Sequence, residues 1–117
     1  MNDNLLYQKT KKYVEYFDRK DLDAIKSLLS ESFKLIGPSV ELVGKDKALS
    51  HINEIFESVD KFSFKAVNVF VFHRVSVIEF KLTLGDTEIV GADVIDWDHQ
   101  NQMKEMRAYL YQTAVYE

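Results

Sequence analysis

The sequence contains no cysteine, a single proline and four glycines among its 117 residues. Without cysteine there are no disulfides, no thiolate catalysis and no cysteine-ligated metals. Positive charge is not in excess either. Fifteen Lys and Arg stand against 19 Asp and Glu, a net charge of -4. That leaves no basic footprint for nucleic acid and none for an anionic membrane. No apolar run approaches the roughly 20 residues that span a bilayer. The first residues, M-N-D-N-L-L-Y-Q-K-T, lack the cationic start and apolar stretch of a secretory signal. A cytoplasmic location is therefore expected. No histidines or carboxylates fall at metal-ligand spacing, and no G-x-S-x-G, phosphate-binding glycine loop or dinucleotide fingerprint occurs. Neither a metal nor a cofactor is expected.

What is present is ordinary globular composition, 46% hydrophobic and 13% aromatic, which argues against disorder. Residues 1–117 read as one domain, able to bury roughly two thirds of its unfolded surface without a metal or disulfide staple.

Helical periodicity comes first. Leu6, Tyr13, Val14 and Phe17 share one face of a helix over residues 4–20. Asp21 is placed to cap a second helix over 22–30. Short strands follow at 33–36 and 40–43, separated by Gly37-Pro38. Ala48, Ile52, Ile55, Phe56 and Val59 mark a third helix over 45–59.

After Asp60 the period becomes two. The strand over 62–72 is apolar on both faces, so both are expected to be covered. Its facing depends on the turn at His73-Arg74. A two-residue turn puts its phenylalanines outside with Val77, and a three-residue turn puts them inside. A strand over 75–84 is followed by Gly85-Asp86, a two-residue hairpin signal with Gly first, as a type II′ turn requires. That turn sets a register in which Leu82 faces Ile89, Phe80 faces Gly91 and Ile78 faces Asp93. The last strand, over 103–112, reads with either face inward. Helices packed on one side of a curved antiparallel sheet, an α+β layout, is the expected architecture.

Asp93 is the residue that needs an explanation. Strand interiors are depleted of Asp, yet it lies between Ala92 and Val94. In the register above it looks out among Ile78, Phe80, Ile95 and Trp97, and the small Gly91 leaves a gap beside it. No Lys or Arg shares that face of the two strands. An apolar wall with an acid in it disfavours the charged form and raises the pKa. The other reading is a structural acid that caps a buried donor. Tyr13 on the first helix brings a hydroxyl to the core side. His51, beside the apolar stripe of the third helix, is a base candidate near neutral pH. Val77, Glu79, Lys81, Val90, Ala92 and Val94 make an opposite face too apolar for full solvation, so a homodimer through the sheet is expected.

Four segments carry a resemblance: K-Y-V-E-Y-F-D-R-K-D-L-D-A-I-K-S-L-L near the start, I-G-P at 36–38, V-G-K-D-K-A opening the third helix, and G-A-D-V-I-D-W-D with M-K-E-M-R-A-Y at the end. Together they resemble the NTF2-like superfamily, the cone-shaped, cystatin-like α+β fold shared by ketosteroid isomerases and SnoaL-like cyclases. The resemblance implies that Tyr13 and Asp93 correspond to the oxyanion-hole tyrosine and protonated aspartic acid of the isomerases, a pairing that is a standard example of a neutral acid used as a donor. It also exposes a departure. The isomerase base is a carboxylate immediately before a proline, and here that position is Gly37. Glu41, His51 and Glu79 are the replacement candidates. The expectation is a pocket lined by Ile78, Phe80, Ile95 and Trp97 for a small apolar, cyclic carbonyl or phenol ligand, with isomerase- or cyclase-type proton transfer as the chemistry. The competing expectation is a non-catalytic dimerisation or adaptor domain, whose cone would be filled by side chains.

Overall fold

The computed structural model describes residues 2–114, with side chains from 3 to 111. Helix α1 (Asn2–Asp18) buries Leu6, Tyr13 and Phe17. It ends in a Schellman turn: the Asp21 N–H donates to the Tyr16 carbonyl (2.8 Å) and the Lys20 N–H to Phe17 (3.1 Å), with Lys20 at φ 58°. Asp21 caps α2 (Leu22–Leu28), its carboxylate accepting from the Ala24 N–H at 3.1 Å. The helix is shorter than its sequence pattern, because Leu29 and Ser30 leave it for strand β1 (Leu29–Gly37). A Pro38-Ser39 turn leads to β2 (Val40–Val43), and α3 follows (Lys45–Ser58), burying Ala48, Leu49, Ile52 and Phe56.

Strands β3 (Phe62–Phe72), β4 (Val75–Leu84), β5 (Thr87–Trp97) and β6 (Met103–Ala114) complete a six-stranded sheet in the order β2-β1-β6-β5-β4-β3. The sheet is curved, unclosed and mixed rather than purely antiparallel. β1 runs parallel to β6, with Leu29 opposite Met103 and Leu35 opposite Met106. The chain between them runs through β2, α3, β3, β4 and β5, the long connection that a parallel pair needs. The helices pack on the concave face, an α+β cone.

Between β4 and β5 the Gly85-Asp86 turn sets the expected register: Leu82 pairs with Ile89, Phe80 with Gly91 and Ile78 with Asp93. Gly85 has φ 62°, the left-handed value that glycine takes without strain. β3 resolves its two readings by splitting them. The His73-Arg74 turn has two residues, which alone would place every phenylalanine outside. A one-residue bulge at Val67 then intervenes, with Ala66 opposite Phe80 and Asn68 opposite Glu79. A bulge reverses the side-chain alternation. Phe62 and Phe64 therefore face the core, while Phe70 and Phe72 are 55% and 69% exposed on the convex face. Coverage of both faces is not what the chain by itself provides.

Gly91 also differs from its sequence reading. It does not open a gap. A Cβ built there would lie 2.2 Å from the Tyr109 carbonyl oxygen, 3.1 Å from the Phe80 ring and 3.2 Å from the Leu110 Cα. Here β6 carries an extra residue, since Val90 pairs with Gln112 and Gly91 with Leu110. The glycine lets two backbones approach at a bulge. Gly91→Ala is expected to destabilise the fold by at least about 1–3 kcal/mol, the usual range for overpacking, because backbone must move. Urea unfolding checks this, and a variant as stable as the parent would show that β6 yields freely.

Candidate functional site

One end of the cone is packed solid. Leu6, Ile25, Leu29, Ile95 and Met103 are almost fully buried there. Polar groups in this plug satisfy one another. The Trp97 indole N–H donates to Ser76 Oγ (2.8 Å), and Ser76 Oγ lies 2.6 Å from Thr10 Oγ1. Thr10 donates to the Leu6 carbonyl (2.6 Å), so its single proton is taken and Ser76 is the donor between the two hydroxyls. The relay bolts the first turns of α1 to β4 and β5. Ile78, Ile95 and Trp97, expected to line a pocket, do not line the cavity. Ile78 and Ile95 are inaccessible core, and Trp97 is held in the plug. The physical reason is that the N-terminal half of α1 covers that end of the strands.

The cavity opens toward the other end. Its volume is about 340 Å³, within the range of roughly 300–1,000 Å³ typical of small-molecule sites. From α1 come Tyr13 and Phe17, from the β1–β2 hairpin Leu35 and residues 37–40, and from α3 His51, Ile52 and Ile55. The sheet contributes Phe64, Phe80, Leu82 and Leu84, then Ile89 and Asp93, then Met106, Ala108 and Leu110. Of the residues singled out in the sequence, Tyr13, His51, Phe80 and Asp93 therefore meet around one space. Leu82, Leu84 and Ile89 were not singled out, although the β4–β5 register already put them on the face of Phe80. Ala108 lies directly across from Asp93 on β6. Its small side chain, rather than Gly91, gives the acid room on that side.

Asp93 is 4% exposed and Tyr13 1%. Burial raises the Asp93 pKa from 3.8 to about 7. Burial, and then the charge of Asp93, push the Tyr13 hydroxyl well above its usual pKa. Tyr13 thus stays a donor, and Asp93 carries a proton for much of the time near neutrality. Among the described residues, no protein group hydrogen-bonds to the Asp93 carboxyl, the Tyr13 hydroxyl or the His51 imidazole. Two of the alternative bases are elsewhere. Glu41 is exposed beside Lys34 (3.6 Å), and Glu79 accepts from Asn68 Nδ2 (2.8 Å) away from the cavity. His51 is the remaining candidate on the wall. Among the described residues no group of three or more His, Asp or Glu is placed to hold a metal, and no helix is long and apolar enough to cross a membrane.

The raised acid makes a stability prediction. Below about pH 4 Asp93 is protonated whether folded or not, so its contribution is fully present. Between about pH 4 and 7 the unfolded chain ionises while the folded one holds its proton, so stability falls as pH rises and levels off above 7. A difference of about three pKa units corresponds to a loss of about 4 kcal/mol. Urea unfolding of the parent and Asp93→Asn across pH 4–8 is expected to show the parent losing stability relative to the variant over that window. A difference that does not vary with pH would contradict the raised pKa.

The chain matches the SnoaL-like domain family over residues 10–106. No curated protein sequence matches it. Among solved structures it is similar to a candidate ketosteroid isomerase from Kribbella flavida (TM-score 0.85, 16% identity, 99% of this chain and 83% of that one). It is also similar to a SnoaL-like protein of unknown function from Burkholderia thailandensis (TM-score 0.82, 16% identity, 92% and 97%). A third is an LEH-like epoxide hydrolase from M. tuberculosis (TM-score 0.80, 11% identity, 95% and 86%). At these identities the structures speak to the fold alone, while the family match spans most of the chain. The fold is the NTF2-like cone of these structures, and the protein belongs to the SnoaL-like domain family.

Proposed function

We propose that the protein binds a small, neutral, cyclic carbonyl compound or phenol, whose oxygen accepts hydrogen bonds from Tyr13 and from protonated Asp93. One observation carries this reading. Two groups on the wall of an apolar cavity, the Tyr13 hydroxyl and the Asp93 carboxyl, have no hydrogen-bond partner among the described residues. Buried polar groups are normally paired, so an oxygen from outside the chain is the partner they lack. Among the described residues the wall holds no Lys or Arg, which favours a neutral ligand over an anion. A donor pair of this kind stabilises charge that develops on oxygen, as in proton transfer next to a carbonyl. Isomerisation or cyclisation is the matching reaction class. With Gly37 in the base position, His51 is the group we assign to proton abstraction.

A thermal-shift screen with phenols, cyclic enones and flat polycyclic ketones tests the reading. A ligand at a hundredfold excess over its Kd adds about 2.7 kcal/mol of stability. Phenols or enones are expected to stabilise the parent. Asp93→Asn, which keeps a donor, should hold affinity within about tenfold, and Asp93→Leu should lose more than that. No shift with any class would overturn the proposal.

The convex face supports a second element. Phe70, Phe72 and Tyr109 are more than half exposed there, around Val77 and Val94. We infer a homodimer through this face, whether or not the cavity turns over a substrate. Sedimentation at micromolar concentration should give twice the monomer mass, and a monomer would count against it.

A further inference from the structure

We propose that the ligand is two-ended: one oxygen meets Tyr13 and Asp93 at the floor of the cavity, and a second hydroxyl or keto oxygen meets His51 at its mouth. The inference rests on the binding reading above and deepens it.

The polar groups of the cavity fall at two depths. Tyr13 and Asp93 are almost completely buried, whereas His51 is half-buried and the neighbouring Pro38 and Ser39 are exposed. Helical geometry puts His51 on the cavity side, because Ile55, one turn further along α3, lines the same space. Most of the remaining wall is apolar, with Leu35, Ile52, Ile55, Leu82 and Met106 among its residues. Among the described residues no group hydrogen-bonds to the His51 imidazole, so one ring nitrogen can donate to a ligand and the other accept from it. A ligand with oxygen at only one end would leave an apolar edge against that ring. A ligand with oxygen at both ends satisfies both stations. A carboxylate or phosphate fits poorly at the far end, since no Lys or Arg among the described residues lines the cavity to neutralise it.

Matched phenol probes separate the two stations. Binding of 2-naphthol and naphthalene-2,6-diol, and of biphenyl-4-ol and biphenyl-4,4′-diol, is measured by calorimetry at pH 7.5 with the parent, His51→Ala and Tyr13→Phe. At least one diol is expected to bind the parent about tenfold tighter than its mono-ol, the upper end of one net hydrogen bond and well above the statistical gain of about twofold from two equal ends. His51→Ala should remove that advantage, weakening the diol by about tenfold more than its mono-ol. The substitution puts a strong helix former at a half-buried helical position, so folding is retained. Tyr13→Phe should weaken the mono-ol and the diol together. Mono-ol binding with no gain for either diol overturns this inference alone, as does a gain that survives His51→Ala. Failure of every probe to bind overturns the proposed function and this inference with it.

Discussion

The cavity depends on curvature, and the curvature depends on places where one strand carries a residue more than its neighbour. Three such places lie along β3 to β6. They fall at Val67, at the Val90–Gly91 step against β6, and at the Asp96–Trp97 step against β6. Each bulge adds local twist and bends its strand. A flat sheet would let the helices lie against it along their whole length and would leave no room between them. Gly91 is the tightest of these points, because β6 backbone occupies the position of any Cβ. The bend it permits sits two residue pairs away from Asp93. The residue that shapes the sheet and the acid that the shape exposes to the cavity are therefore coupled by geometry.

Asp93 shows the cost of such a site. An acid in an apolar wall without a partner is unfavourable in its charged form, and the folded chain responds by holding the proton. A Leu or Val at 93 would fit the inward pattern of Gly91, Ile95 and Trp97 better. The rest of the core offsets the burden. The Thr10–Ser76–Trp97 relay leaves its polar atoms paired at the closed end, and Phe17 stacks edge-on or tilted against Phe56, Phe62 and Phe64 at 4.8–5.8 Å. Rigid packing at one end and unpaired groups at the other is the distribution expected where stability is given up locally for binding.

The sequence made local and hairpin-linked features legible. The helix stripes, the Asp21 cap and the β4–β5 register follow from periods and turn chemistry within a few residues of chain, and so did the buried surroundings of Asp93. Features that depend on distant partners were hidden. Whether the space lay on the Trp97 side or the Leu84 side of Asp93 depends on which part of α1 covers the sheet, and strand alternation is the same in both directions. The facing of β3 turned on one bulge residue, Val67, whose side chain looks like any other valine in the pattern. The parallel β1–β6 pairing joins residues about seventy apart, beyond the reach of turn signals. Gly91 carried a signal that was read the wrong way. A glycine inside a strand marks close backbone approach as often as empty space.

The glycine at 37 bears on what chemistry the cavity can hold. Gly37 still lines the space, next to Pro38, Ser39 and Val40, so the hairpin is where a base would be useful but supplies none. Among the described residues, the titratable proton acceptors on the wall are the His51 imidazole and Asp93 itself. Asp93 cannot serve at the same moment as the proton donor to a developing enolate and as the base that creates it. If it donates with Tyr13, abstraction falls to His51, which lies across the apolar span and nearer to solvent. A proton removed there is exchanged with water easily, whereas one held at the floor is not. On the proposed reading, proton transfer would be a two-station process, with charge stabilised at the floor and the proton handled at the mouth. That division of labour also requires a ligand long enough to reach both.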